Sequence, residues 1–507
     1  ERCNEFTKKN CYTSMITMPS WLFLSSFENI RKYMISNLKI ESLLHMGRGI
    51  FGIDFGSVAF TLKKEIPDEK KTNYYRLHKR NFQHIYYNDI EKIFLNSKEN
   101  FNYKYNFDLY RDDEGVNVIP NFSINNGQQI RFQAKQKDFE KIPGSPIAYW
   151  ISDKIREIFE KNQKLSEVTN PRKGLVTGNN EFFTKIWTEI NFNKVGINIL
   201  TREEGIKSNK KWFPYNKGGE FRKWYGNHEY LVNWENDGYK MRNTTHPSGD
   251  RPISSNYNLE YIFKPLISWS AISTRAFSSR ISYNGHICDA AGSACYPISN
   301  ILQFLAILNS KVTFEFLKLM NPTLNFQAGN IGNIPIILQN GFLKFIENIT
   351  QQNIDISKEE WDSRETSWDF QKLSLVDGKD LKTAYENYCN HWRDNFVQLH
   401  KNEEELNRLF IEIYDLRDEM DEKVSFDDIT ILKKEAKIIQ IDNSVPKEFS
   451  IESEKYLYNR GVSLEFNKDE LVKQFLSYAI GCIMGRYSTN KSGLIIANSD
   501  DILELSE

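Results

Sequence analysis

The chain has 507 residues, 40% of them hydrophobic and 26% charged, with a formal net charge of -1 at pH 7. That length and apolar content allow three or four domains, each with its own core, and the balanced charge excludes a globally basic nucleic-acid binder, so any such role must come from local patches. Six cysteines without a C-x-x-C pair support neither a disulfide framework nor a zinc cage, so a reducing cytoplasm fits best; no apolar run is long enough for a membrane span, and no signal-peptide pattern precedes the first one.

From the N-terminus, Met15, Ile16 and Thr17 read as a buried strand, Pro19 and Ser20 turn the chain, and Leu22, Phe23, Phe27, Ile30 and Met34 recur at helical spacing. A β-α unit of this kind normally sits inside a parallel sheet with neighbours on both sides. "IESLLHM" and "SVAFTL" follow as strands around a glycine-rich turn. Their connection is too short for a parallel crossover, which predicts an antiparallel pairing able to close the edge of an open sheet. Residues 66–165 are mixed and tyrosine-rich, with a helix from about Ser152 to Lys164. Residues 166–345 alternate short apolar runs with Gly, Asn and Pro turns and predict a β-rich domain with few helices, whereas 346–507 read as largely helical, with Asp380 to Glu422 the longest periodic stretch.

Charge is segregated along this plan. From Arg172 to Lys223 there are eleven Lys or Arg against five Asp or Glu; from Glu403 to Asp428 there are eleven acids against three bases. Leu406, Leu409, Phe410, Ile413, Leu416 and Met420 recur at helical spacing in the acidic stretch, which predicts an amphipathic helix over 403–428 with an acidic outer face, either solvated or docked on a basic partner.

Three short motifs carry little chemistry. The glycines of "HMGRGIFGIDFG" are followed by a strand rather than by a helix, which favours a structural turn over a phosphate loop. "IPDEKK" lacks a second acidic-x-Lys element for nuclease chemistry and reads as a solvated loop. The eight histidines include no H-x-x-x-H pair for a metal. More informative is "KKWFPYNKGGEFRKWYGNHEYLVNWENDG". Here Lys210, Lys211, Lys217, Arg222 and Lys223 interleave with aromatic residues that include Trp224 and Tyr225, and Gly218-Gly219 permits a tight turn. Cations neutralise phosphates while aromatic faces stack on bases or sugars; the same aromatics would serve equally well as the core of a β-rich domain.

The motifs "MITMPSWLFLSSFENIRKYMI", "LLHMGRGIFGIDFGSVAFTL", "GLVTGNNEFF", "KWFPYNKGGEFRKWYGNHEYLVNWENDG", "ISWSAISTRAFSSRI", "DAAGSACYP" and "SYAIGCIMGRY", in this order, resemble the later two thirds of the PglX family. That family comprises the adenine-specific DNA methyltransferases of BREX bacteriophage-defence systems, similar in layout to fused restriction-modification methyltransferases. The resemblance implies an architecture: an α/β tail of a Rossmann-like methyltransferase sheet (1–65), a connector or insertion (66–165), an α+β target-recognition domain that binds DNA (166–345) and a mainly helical C-terminal domain (346–507). The family's glycine motif for S-adenosylmethionine and its Asn-Pro-Pro-Tyr motif for a flipped adenine do not occur in this sequence. The expectation is therefore a fragment that binds double-stranded DNA without methylating it. The intact enzyme would use S-adenosylmethionine, and this chain alone would bind no cofactor and contribute no catalytic residue or metal ligand. Partners beyond DNA would be the missing N-terminal catalytic half or other phage-defence proteins. A non-catalytic specificity or adaptor protein acting with a separate enzyme chain is the alternative, and an autonomous nuclease a third possibility.

Within the recognition domain, Arg275 and Arg280 lie in a Ser/Thr-rich stretch that leaves a guanidinium room to reach a base edge or phosphate. Asn325 and Gln327, two apart, would share one face of an extended segment, and amides make the paired contacts that distinguish adenine. The competing expectation is that Arg275 pairs with a buried carboxylate and that Asn325 only holds a turn after Pro322.

Overall fold

The computed structural model describes residues 2–47, 56–78, 85–107, 122, 125–249, 251–256, 258–273, 275–321, 325–444 and 447–495. The chain divides into two compact units, Glu1–Asn162 with Lys318–Pro322, and Gln163–Leu317 with Thr323–Glu507.

In the first unit the opening strand β1 (Tyr12–Thr17) leads through two short 3-10 turns, Pro19–Leu22 and Ser25–Phe27, into helix α1 (Glu28–Asn37). The expected helix thus begins later than its apolar spacing suggests, because Pro19 and the serines start tighter turns first. Strands β2 (Lys39–Gly47), β3 (Ser57–Lys63) and β4 (Lys71–Arg76), helix α2 (Tyr87–Glu99), strand β5 (Arg131–Lys135) and helix α3 (Asp153–Lys161) complete the unit. The sheet order is β1-β3-β2-β4-β5. Strand β3 is antiparallel to both β1 and β2, in line with the short connection, and β2 is parallel to β4. The glycine-rich turn expected between β2 and β3 lies, at 48–55, outside the described residues.

The sheet does not stop at residue 65: β4 and β5 extend it with residues from the stretch read as a connector. One face buries Leu43, Val58, Phe60, Leu62 and Tyr74 against Leu22, Met34, Ile35 and Phe139. Arg31 is buried among them and donates only to carbonyls, to Trp21 at 2.9 Å, Leu24 at 2.7 Å and Gly144 at 2.6 Å. Strand β1 occupies the sheet's edge, and its outward residues Tyr12 and Ile16 are 61% and 58% exposed. The anticipated burial of Ile16 is therefore corrected: exposure alternates along β1, with Met15 packed against the core and Ile16 on the opposite, exposed face.

The second unit opens with β6 (Thr184–Ile186), β7 (Trp212–Asn216) and β8 (Tyr230–Asn233). Then come β9 (Leu266–Trp269), β10 (Ser279–Ser282), β11 (Ile287–Cys288) and β12 (Ala294–Cys295). They form two sheets, β11-β7-β8-β6 and β10-β9-β12. Helices α4 (Ile301–Asn309) and α5 (Lys311–Met320) follow, so this part of the chain holds more helix than its turn-rich sequence suggests. Helix α4 is buried on nearly every side and so shows no amphipathic period to read. Beyond it lie α6 (Leu343–Asp362), α7 (Leu381–Ile413), the antiparallel pair β13 (Ala436–Gln440) and β14 (Val462–Phe466) with a short helix, Glu452–Asn459, between them, and α8 (Lys468–Ile483).

Helix α7 starts where expected, with the Asp380 carboxylate accepting from the Thr383 N–H at 2.7 Å. It ends earlier than the acidic pattern predicts. Asp415 adopts a left-handed φ of 53°, and the Leu416 N–H returns to the Ile411 carbonyl at 2.8 Å, closing the helix and burying Leu416. Carboxylates in the final turn oppose the partial negative charge of a helix C-terminus, so a continuous acidic helix to Asp428 is disfavoured.

Candidate nucleic-acid interface

The basic and aromatic stretch begins on β7, whose five residues are all buried. Trp212, Phe213 and Tyr215 are core residues here, and the Tyr215 hydroxyl donates to Asp289 Oδ2 at 2.5 Å. Gly218 and Gly219 form the expected turn with φ of +86° and +125°. A Cβ on Gly218 would stand 2.9 Å from the Ala291 carbonyl oxygen, so glycine is required there for space as well as for φ.

After that turn the chain goes inward. Arg222 is buried; its Nη2 donates to Glu360 Oε2 at 2.7 Å and to the Ser357 carbonyl at 2.9 Å, and its guanidinium lies over the Trp361 ring. Lys223 is buried beside it with Nζ 2.6 Å from Glu403 Oε2, while Trp224 Nε1 donates to the other oxygen of the same carboxylate at 2.8 Å. Trp224 holds a left-handed φ of 70°, rare for a bulky residue. Its N–H and carbonyl are pinned to Ser279 and Ile281 on either side of Arg280, so surrounding contacts impose the conformation. Tyr225 is buried, with the Lys358 ammonium 4.9 Å from its ring centre.

Arg280 is 2% exposed and donates to the Arg222 carbonyl at 3.1 Å. Burial, and then the Arg222 charge, lowers its guanidinium to about 10, still cationic at neutral pH. For Arg222, Lys223, Trp224, Tyr225 and Arg280 the reading as DNA contacts is therefore corrected. Each is buried and engaged inside the chain, and three of them are held by carboxylates from helices α6 and α7.

The other six candidates stay within reach of solvent. Lys210 donates to the Asn193 carbonyl, Lys211 is half-buried, and the Lys217 ammonium sits 4.9 Å from the Tyr230 ring centre. Arg275 is exposed, and its Nη1 donates to the Asp427 backbone carbonyl at 2.7 Å, so its partner is a carbonyl rather than the buried carboxylate considered from sequence. Asn325 is bridged to Ile272, three residues before Arg275, and the Phe326 N–H donates to the Ala271 carbonyl at 2.6 Å. The loop carrying Arg275 and the segment carrying Asn325 and Gln327 thus run side by side. Gln327 Nε2 donates to Asn325 Oδ1 at 2.8 Å, placing the two amides together as their spacing implies.

One cation at this place was not among the sequence candidates. Lys433 Nζ donates to the same Asp427 carbonyl at 2.6 Å. Its signal was the "KKEAK" run at 433–437, which reads as an ordinary charged surface in the absence of a partner.

In the first unit, the ends of the parallel strands β2 and β4 carry His45, Arg76 and, just beyond, His78. The two imidazoles are 4.2 Å apart, and the Arg76 guanidinium lies 4.8 Å from the Trp150 ring centre. Burial, then the charges of His78 and Arg76, holds His45 well below its ordinary 6.5.

No family profile matches the chain. By sequence it is 33% identical over 510 residues to the adenine-specific methyltransferase PglX of Lacticaseibacillus casei (strain Zhang), a match covering 99% of this chain and 37% of that protein. The match is to PglX-type methyltransferases. The adenine-specific methyltransferase BrxX of Escherichia coli O9:H4 (strain HS) is 31% identical over 498 residues, covering 97% of this chain and 36% of that protein. The chain therefore spans a little over a third of the length of PglX or BrxX, which corrects the two thirds expected from its motifs. Among solved structures, the type IIL restriction-modification enzyme MmeI in complex with DNA aligns with 81% of this chain and 48% of its own, at 12% identity and a TM-score of 0.43.

A PglX-type enzyme implies S-adenosylmethionine, whose ribose hydroxyls call for a carboxylate near the ends of the parallel strands. The described side chains at these strand ends are the two imidazoles and the Arg76 guanidinium, and no chemical step is derived through that cofactor. Among the described residues there is also no group of three metal-ligating side chains, and no helix long and apolar enough to cross a membrane.

Proposed function

We propose that this chain is the DNA-recognition and C-terminal portion of an S-adenosylmethionine-dependent, adenine-specific DNA methyltransferase of the BREX phage-defence type. The observation that carries this reading is the similarity to PglX along 99% of the chain. In this reading the five-stranded sheet is the tail of the catalytic domain. Its open β1 edge, with Tyr12 and Ile16 outward, suits pairing with a further strand, since an unpaired edge is otherwise a liability.

The second unit binds duplex DNA. Lys210, Lys211 and Lys217 act on phosphates, and Arg275, Asn325 and Gln327 on base edges or the adjoining backbone. S-adenosylmethionine serves the intact enzyme, and this chain alone binds none.

Anisotropy titration of the chain with a labelled 30-base-pair duplex tests the reading, with a Kd of roughly 10⁻⁶ to 10⁻⁴ M expected for sequence-independent contact. Absence of binding up to the weak end of that range would overturn it. Calorimetry with S-adenosylmethionine should show no saturable heat; a stoichiometric site would contradict the cofactor assignment.

A further inference from the structure

Arg275 Nη1 and Lys433 Nζ converge on one neutral acceptor, the Asp427 carbonyl oxygen, at 2.7 and 2.6 Å. A carbonyl satisfies a hydrogen bond from each but cancels neither charge, so two cations from segments 158 residues apart in numbering, 275 and 433, are held together. Lys434 and Lys437 continue the same exposed run into β13. Lys433 and Lys437 line both a hollow of about 540 Å³, shared with Arg275, and an open groove of about 980 Å³, shared with Lys434 and Lys468.

Acids are present too. Asp427 and Glu220 line the hollow, and Glu386, Glu465 and Asp469 line the groove. Lys437 pairs with Glu465 at 3.2 Å, with both partners more than half exposed, and a surface pair of this kind exchanges readily. Partial burial lowers the Lys433 ammonium below the ordinary 10.5; of its charged neighbours Arg275 lowers it further, Asp427 and Asp428 raise it, and Lys223 lowers it least. Asn325 and Gln327, able to read a base edge, stand on the segment alongside the Arg275 loop, so the anion fitting this place is one linked to bases.

We propose that Arg275, Lys433, Lys434 and Lys437 form a contact surface for the phosphate backbone of duplex DNA, in which the segment leading into β13 joins the recognition loop at residue 275. The inference rests on the DNA-binding reading above and adds to it a second, C-terminal contribution to the interface.

The test is a salt titration of the full chain, from 50 to 200 mM KCl, on a mixed-sequence 30-base-pair duplex. Wild type is compared with Lys433→Gln plus Lys434→Gln, with Arg275→Gln, and with Lys437→Gln, whose exposed position leaves folding intact; thermal melts verify each. The double variant should bind about tenfold more weakly at low salt and lose about two from the slope of log K against log salt, and each single variant about one. Full slopes in all folded variants would overturn this inference while leaving the DNA reading standing; no duplex binding by wild type would overturn both. Competition by 10 mM inorganic phosphate beyond that of chloride at equal ionic strength would mark a small-anion site and also overturn the backbone assignment.

Discussion

Arg222 and Lys223 lie in the most basic and aromatic stretch of the sequence, and their side chains would suit phosphate. Their carboxylate partners are 138 and 180 residues away in the chain, so nothing local reveals that they are spoken for. Glu360 is the centre of this arrangement: 1% exposed, it accepts from Arg222, from Arg364 and, at 2.8 Å, from the Leu432 N–H. Burial alone would raise its carboxyl, but the Arg222 and Arg364 charges and the Leu432 N–H hold it below its ordinary 4.5. A depressed carboxyl contributes stability that is complete above the ordinary value and fades as pH falls through the folded one. Glu360→Gln should therefore cost about 3 kcal/mol in urea unfolding at pH 7, since it removes the carboxylate that pairs with buried Arg222, whereas Arg364 keeps Glu435 at 2.9 Å. The gap between variant and wild type should narrow below pH 4.5; a gap constant down to pH 3 would refute the assignment.

At the scale of elements, the legible features were those whose cause is local. The antiparallel β2-β3 pair followed from a short connection, and the start of α7 from Asp380. The end of α7 was not legible, because the apolar spacing of Leu416 and Met420 continues a helical period that the left-handed turn at Asp415 interrupts. Hydrogen exchange distinguishes the two descriptions. Amides of the buried middle of α7, around Leu399 to Phe410, should be protected by several orders of magnitude more than those of 417–425, which lie beyond the helix and are largely exposed. Equal protection across both would restore the long acidic helix.

For the molecule as a whole, composition indicated several cores, and the structure resolves two compact units, divided at 162/163 with the short stretch 318–322 returning to the first. What composition could not show is that β4 and β5, about sixty residues apart in sequence, join the sheet begun by β1 to β3. Residue type did not reveal exposure: of the eleven residues read from sequence as DNA contacts, five are buried and six keep solvent contact. The exposed face of β1 makes a further prediction for the whole chain. Ile16→Lys should move the melting transition by no more than a surface substitution does, about 0.5 kcal/mol; a much larger loss would show that Ile16 is covered in the folded chain.

The pairing of Lys223 with Glu403 also has a consequence in time. A ribosome adds about 5 to 20 residues each second, so the 180 residues between these partners take roughly 10 to 40 seconds to synthesise. For that interval the loop after β7 has been made while the carboxylate that neutralises it has not. The nascent β-rich segment must wait with Lys223 and Arg222 in water, and can close over them only once α6 and α7 have left the exit tunnel.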